Sequence, residues 1–96
     1  MIEGKAKAEI SDDGRTVTCM SEDGRGRWVK GNPSIHDWQS LANYSVIQDV
    51  ENGRFQYVDD EMPGQIVAVF APRCGLDFNL TYAADSGELI SIDEAR

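Results

Sequence analysis

Short segments of alternating apolar and polar residues, separated by glycine-containing turns, constrain the fold of this chain most. Asp13-Gly14 separates the segments 5–11 and 15–21. Such a pair is a strong hairpin signal, because both central residues of a two-residue turn need a positive φ. That turn sets three cross-strand pairs, which are Asp12 with Arg15, Ile10 with Val17, and Ala8 with Cys19. The sequence therefore predicts a β-hairpin with its apolar side chains on one face.

Four further segments are typical of strands, and turn residues separate them. They are RWVK (27–30), QIVAVFA (65–71), the alternation from Leu76 to Tyr82, and ELISI (88–92). The connection 22–26 is long enough to carry a β-bulge. Residues 82–91 resemble the closing hairpin of PepSY domains. This resemblance covers ten of the 96 residues and implies a hairpin, without a function.

One short helix follows the third strand. Asn32 is a good N-cap and Pro33 suits the first helical position. Four apolar residues then recur at helical spacing, namely Ile35, Trp38, Leu41 and Ala42. The spacing predicts an amphipathic helix at about residues 33–43.

The segment 44–58 fits two structures. A hairpin with a type I′ turn at Asn52-Gly53 is one, and a continuation of the helix with Gly53 as its left-handed cap is the other. The β-branched residues of SVIQDV favour the hairpin. The predicted fold is a single α+β domain over residues 1–96: an antiparallel β-sheet of about five to seven strands built from hairpins, with one helix packed on it.

The residue types give little support for a metal site, a cofactor site or catalysis. Two cysteines and one histidine do not supply the four ligands of a structural zinc site. Asp49, Glu51 and Gly53 resemble the start of a calcium loop, but the glycine stands at the fifth position instead of the sixth. His36 is the only imidazole, and a helix N-terminus disfavours its charged form. We therefore expect no metal, no cofactor and no enzymatic activity, with a small enzyme using His36 or paired carboxylates as the least favoured alternative.

The cysteines and the hydropathy bear on the compartment. Cys19 lies in the apolar alternation of a strand, which indicates a buried free thiol, and a Cys19–Cys74 disulfide stays an open alternative. No apolar run approaches the roughly 18–20 residues that span a bilayer. The first ten residues lack the apolar core of a signal peptide. These features predict a cytoplasmic protein.

The net charge of −8 excludes some partners and favours others. Such a chain repels nucleic acids and anionic membranes, so we expect neither as a direct partner. Gly24 to Trp28 holds two arginines and an aromatic ring, but a solvated hairpin tip is the simpler interpretation. Residues 1–30 hold six acidic and six basic residues, whereas residues 31–96 hold 11 acidic residues and three arginines. The excess acidity thus belongs entirely to the second part of the chain.

Two functional hypotheses follow. The first is a non-enzymatic binding protein, an inhibitor or immunity-type protein that docks on a basic, nucleic-acid-handling protein. Small acidic proteins of this class occur in phage and in bacterial toxin or defence systems. The residues expected to bind the partner are Asp49, Glu51, Asp59, Asp60 and Glu61, the last three in an exposed loop. The second hypothesis is an accessory or structural subunit that forms oligomers, such as a homodimer, by pairing through a sheet edge. Docking predicts one continuous acidic face, and a role in solubility alone predicts scattered acidic residues.

Overall fold

The computed structural model describes four parts of the chain, residues 6–21, 25–42, 52–71 and 77–94. They contain seven strands and one helix, namely β1 (Lys7–Ile10), β2 (Val17–Met20), β3 (Gly26–Lys30), α1 (Ile35–Leu41), β4 (Arg54–Asp59), β5 (Gln65–Ala71), β6 (Phe78–Ala83) and β7 (Leu89–Glu94). All strand pairs are antiparallel. The α+β class with an antiparallel sheet and one short helix is therefore confirmed. The strands are divided between a three-stranded sheet, β1-β2-β3, and a four-stranded sheet, β4-β5-β6-β7.

The β1–β2 hairpin has the predicted register but a different turn. Ile10 pairs with Val17 and Ala8 with Cys19. The turn begins one residue earlier than predicted, because the Gly14 amide donates to the Ser11 carbonyl (2.9 Å). The Arg15 amide donates to the side chains of Ser11 and Asp13 (3.1 and 3.0 Å). Asp12 and Arg15 are thus absent from the ladder, and Gly14 takes its positive φ of 74° just after the central turn residues.

Strand β3 carries the bulge that the long connection before it allows. Cys19 pairs with Trp28 and Met20 with Gly26, which leaves Arg27 as the extra residue. The Cys19 side chain is fully buried, and it is a free thiol, as predicted. Burial raises the pKa of that thiol. Cys74 lies outside the described residues.

Helix α1 is shorter than predicted and has a different N-cap. Ser34 is the cap, and its hydroxyl accepts a hydrogen bond from the Asp37 amide (3.1 Å). Ser34 has the extended backbone of an N-cap (φ −69°, ψ 162°), so Asn32 and Pro33 both lie before the helix and Pro33 is not its first residue. The Asn32 side-chain oxygen instead accepts a hydrogen bond from the Trp38 indole (3.1 Å). No helix in the described parts of the chain is long and apolar enough to cross a membrane.

The four-stranded sheet supplies most of the core through one of its faces. Buried side chains stand opposite each other across β5 and β6, namely Ile66 and Tyr82, Ala68 and Leu80, and Phe70 and Phe78. Trp38 of α1 packs on this face, with ring centroids 5.6 Å from Phe70 and 5.3 Å from Phe78. Val17 and Cys19 of the three-stranded sheet join the same cluster. Both sheets and the helix therefore share one hydrophobic core.

Gly53 does not have the left-handed conformation that both interpretations of the segment 44–58 require, because its φ is outside the positive range. A side chain there is excluded by packing instead. A Cβ atom on Gly53 would lie 2.5 Å from Phe70 Cε2 and 2.8 Å from the Ala71 carbonyl oxygen. Residues 43–51, and with them the strand pairing predicted for that segment, lie outside the described residues.

The two sheets meet along β1 and β4 and around Ala84. The Phe55 amide donates to the Gly14 carbonyl (2.7 Å), which attaches the β1–β2 turn to the start of β4. At the other end of the sheets, the Ala84 carbonyl accepts hydrogen bonds from the Trp28 indole (2.8 Å) and the Cys19 thiol (3.7 Å). The β6–β7 turn is thereby held against the N-terminal meander.

Candidate functional site

Three of the five acidic residues predicted to bind a partner lie in the described structure. Asp59 is the last residue of β4, and Asp60 and Glu61 begin the turn to β5. Asp59 and Glu61 are exposed, whereas Asp60 is half-buried. Asp49 and Glu51 lie outside the described residues.

Asp60 has a structural contact that the sequence did not reveal. Its Oδ2 atom accepts a hydrogen bond from the amide of Ala8 in β1, at 2.9 Å. A carboxylate that accepts from a backbone amide forms one of the stronger hydrogen bonds in proteins. Asp60 therefore joins the two sheets. It is half-buried, whereas the sequence predicted an exposed loop.

Asp59 and Glu61 belong to a turn with internal hydrogen bonds. Asp59 Oδ1 accepts a hydrogen bond from the Glu61 amide (3.0 Å), and the Gln65 amide donates to the Met62 carbonyl (3.3 Å). Met62 lies in this turn with 59% of its surface exposed. The turn thus presents a large apolar side chain with two exposed carboxylates close to it in the chain.

A second acidic turn lies beside the first. The Ala84 amide donates to the Gly64 carbonyl (3.0 Å), so the β4–β5 and β6–β7 turns are in contact. Asp85 and Glu88 are both exposed in the second turn. We call the residues Asp59, Glu61, Met62 and Asp85 the acidic end of the molecule.

The fold changes the charge separation seen in the sequence. Arg27 Nη1 lies 3.1 Å from Asp85 Oδ1, and the Lys30 side chain lies close to Gly87. Cations of the neutral N-terminal meander are thus placed against the acidic C-terminal hairpin. An ion pair between side chains as exposed as that of Asp85 contributes about 0–1 kcal/mol.

The described acidic residues of the second part of the chain also fall into separate groups. Asp77, Asp93 and Glu94 lie at the opposite end of the four-stranded sheet, where β6 begins and β7 ends. Six residues of strand separate the two ends by about 20 Å. The described residues therefore form an acidic group at each end of the sheet and not the one continuous acidic face that docking predicts.

A cleft opens next to the acidic end, between the loop that precedes α1 and the β6–β7 turn. It is lined by residues 30–34, Asp37 of α1, Tyr82 of β6 and residues 87–89, and its volume is about 390 Å³. We call it the β3–α1 cleft. The alternation from Leu76 to Tyr82 predicted only a half-buried strand, and no local pattern indicated a cleft.

Tyr82 is the unusual member of this lining. Its side chain is 2% exposed, and its hydroxyl is buried without a hydrogen-bond partner among the described residues. Burial, with a smaller contribution from the Asp37 carboxylate, raises the pKa of Tyr82 well above its usual value. The hydroxyl therefore keeps its proton and remains a hydrogen-bond donor.

The residues considered for catalysis are placed apart. His36 is exposed on α1, with its Nε2 atom 3.5 Å from the Ser40 hydroxyl, and it does not line the cleft. The carboxylates that line the cleft belong to Asp37 and Glu88. Within residues 6–21, 25–42, 52–71 and 77–94, no three His, Cys, Asp or Glu side chains are grouped to hold a metal ion.

Comparison with known proteins identifies no relative of this chain. No protein-family model, no curated protein and no solved structure matches the chain.

Proposed function

We propose that this chain is a non-enzymatic binding protein whose acidic end docks on a basic protein, in the manner of an inhibitor or immunity protein. One observation carries the proposal: the contact between the β4–β5 and β6–β7 turns brings the exposed Asp59, Glu61 and Met62 of the first turn and the exposed Asp85 and Glu88 of the second to the same end of the sheet. Protein interfaces commonly combine an apolar centre, in which methionine is enriched, with a polar rim. The net charge of −8 would increase the rate of association with a basic surface.

The structure narrows the residues that the proposal uses. Asp60 is engaged with the Ala8 amide, so its contribution to docking is secondary. Asp59 and Glu61 are exposed and both closely precede Met62 in the chain. A basic, nucleic-acid-handling target and a cytoplasmic location are part of this proposal, and the buried free thiol of Cys19 is consistent with a reducing compartment.

The test compares two charge reversals of equal size at opposite ends of the sheet. Asp59→Lys with Glu61→Lys alters the acidic end, and Asp93→Lys with Glu94→Lys is the matched control. Proteins retained from a cell extract by the immobilised chain are identified by mass spectrometry, after thermal unfolding has shown that both variants fold. We expect the wild-type chain and the control variant to retain a basic protein. The variant with Asp59→Lys and Glu61→Lys should no longer retain it. Once purified, this partner should associate more slowly as ionic strength rises. A set of retained proteins that is the same for both variants would contradict the proposal.

Sheet-edge pairing is the second candidate, and the strand order favours it at two places. In the described structure β1, β3, β4 and β7 each have a strand on one side only, and β1 and β4 lie against each other, which leaves β3 and β7. Val29 on β3 and Ile90 on β7 are exposed by 61% and 47%. An exposed edge with apolar side chains is a surface on which another strand can pair. Size-exclusion chromatography with light scattering tests this candidate, since edge pairing expects a dimer and the docking proposal expects a monomer without its partner.

A further inference from the structure

The β3–α1 cleft has the size and the unpaired polar group of a ligand site. Its volume of about 390 Å³ lies within the usual range for small-molecule pockets, roughly 300–1,000 Å³. Buried polar groups in proteins almost always have a hydrogen-bond partner, and an exception calls for a specific explanation. The Tyr82 hydroxyl is such an exception within the described structure. The hydroxyl itself is closed off from solvent, so a slight shift of the cleft lining would let a ligand there supply the missing partner.

We propose that the β3–α1 cleft binds a small zwitterion of the size of a free amino acid. The carboxylate of this ligand would accept hydrogen bonds from the Tyr82 hydroxyl and the Lys30 ammonium. Its own ammonium would donate to the carboxylates of Asp37 and Glu88. All four side chains belong to residues that line the cleft. This inference does not depend on the docking proposal, whose test alters Asp59 and Glu61.

The donors and acceptors of the lining select this class of ligand. The raised pKa keeps the Tyr82 hydroxyl protonated, so it joins Lys30 as a donor that seeks an oxygen. Asp37 and Glu88 are acceptors that seek N–H groups. An anion alone leaves these two carboxylates unmatched, and a cation alone leaves Tyr82 and Lys30 unmatched. A ligand with both charges satisfies the two pairs together.

Titration of the ¹⁵N-labelled full chain, followed by amide chemical shifts, tests the site. The probes are glycine, glutamate, lysine and leucine as free amino acids, with propionate and propylamine as analogues that carry only one of the two charged groups. We expect at least one amino acid to give saturable shifts at Gly31 and Gly87, and both analogues to bind at least tenfold more weakly. No saturable shift with any of the amino acids, or an analogue that binds as tightly, overturns the proposal.

Variants separate a specific site from weak surface binding. Tyr82→Phe removes one hydroxyl and Asp37→Asn one charge, and each should weaken binding by about threefold to tenfold. Asp12→Asn makes the same change of charge at an exposed residue that does not line the cleft, and it should leave binding unchanged. Equal affinities for Tyr82→Phe, Asp37→Asn and Asp12→Asn overturn the proposal. The chemical shifts of the free variants show whether each one folds.

Discussion

Replacement of Tyr82 by phenylalanine should make the folded chain more stable. The change removes a buried hydroxyl that no described residue bonds, and it keeps the ring, whose centroid lies 5.4 Å from that of Trp28. On folding, this hydroxyl gives up its hydrogen bonds to water without gaining a protein partner. A buried polar group left in this state costs about 1–3 kcal/mol. We therefore expect the free energy of unfolding to rise by about 1–3 kcal/mol in Tyr82→Phe.

Urea unfolding followed by tryptophan fluorescence, without added ligand, measures this change. In a thermal melt the same gain should raise Tm by about 4–8 °C per kcal/mol. Tyr57→Phe is the matched control, because the Tyr57 side chain is 60% exposed and its hydroxyl reaches water in the folded chain. The control should change stability by less than about 0.5 kcal/mol. If Tyr82→Phe instead lost about 1 kcal/mol, the hydroxyl would have a partner such as an ordered water, and the reasoning would be refuted.

Three further predictions test separate contacts. Gly53→Ala should lower the free energy of unfolding by about 1–3 kcal/mol, because the new methyl group would lie 2.5 Å from a ring carbon of the core. Gly26→Ala has open space at the same atom and should change it by less than about 1 kcal/mol; equal losses in urea unfolding would contradict the packing argument. Asp60→Ala should lower the free energy of unfolding by about 1.5–3 kcal/mol, because it removes a hydrogen bond to a charged group, and it should speed hydrogen exchange of the Ala8 amide. Asp12→Ala, at an exposed residue, should do neither. Burial raises the pKa of Tyr82, so the folded chain keeps a proton that the unfolded chain releases above about pH 10. Stability should then fall by about 1.4 kcal/mol per pH unit above that point, and the Tyr82→Phe variant should lack this part of the decline.

Local patterns predicted the strands well because the information for a hairpin lies within the hairpin. The alternation around Asp13-Gly14 was sufficient for the register of Ile10 with Val17. The details of turns and caps were less predictable, because several residues compete for the same amide. Asn32 and Ser34 are both good caps, and the indole of Trp38, six residues along the chain, decides how Asn32 is used.

The candidate site depends on contacts between residues far apart in sequence, and these were not predictable. Asp60 accepts from an amide 52 residues before it, and Arg27 pairs with an acidic residue 58 residues after it. A count of charges along the chain carries no information on either contact. The role of Gly53 was missed for the same reason, since the ring of Phe70 that excludes a side chain belongs to another strand.

Two departures from simple expectation lie at one end of the molecule. There a carboxylate holds a backbone amide, and a tyrosine hydroxyl is buried without a described partner. The opposite end of the four-stranded sheet carries an acidic group too, with Asp77, Asp93 and Glu94, but none of its described residues has a buried side-chain polar atom without a hydrogen-bond partner. Proteins commonly break local folding rules where a site requires it. The end where the β4–β5 and β6–β7 turns meet is therefore a better guide to function than the total charge, and the two sets of variants test its surface and its cleft separately.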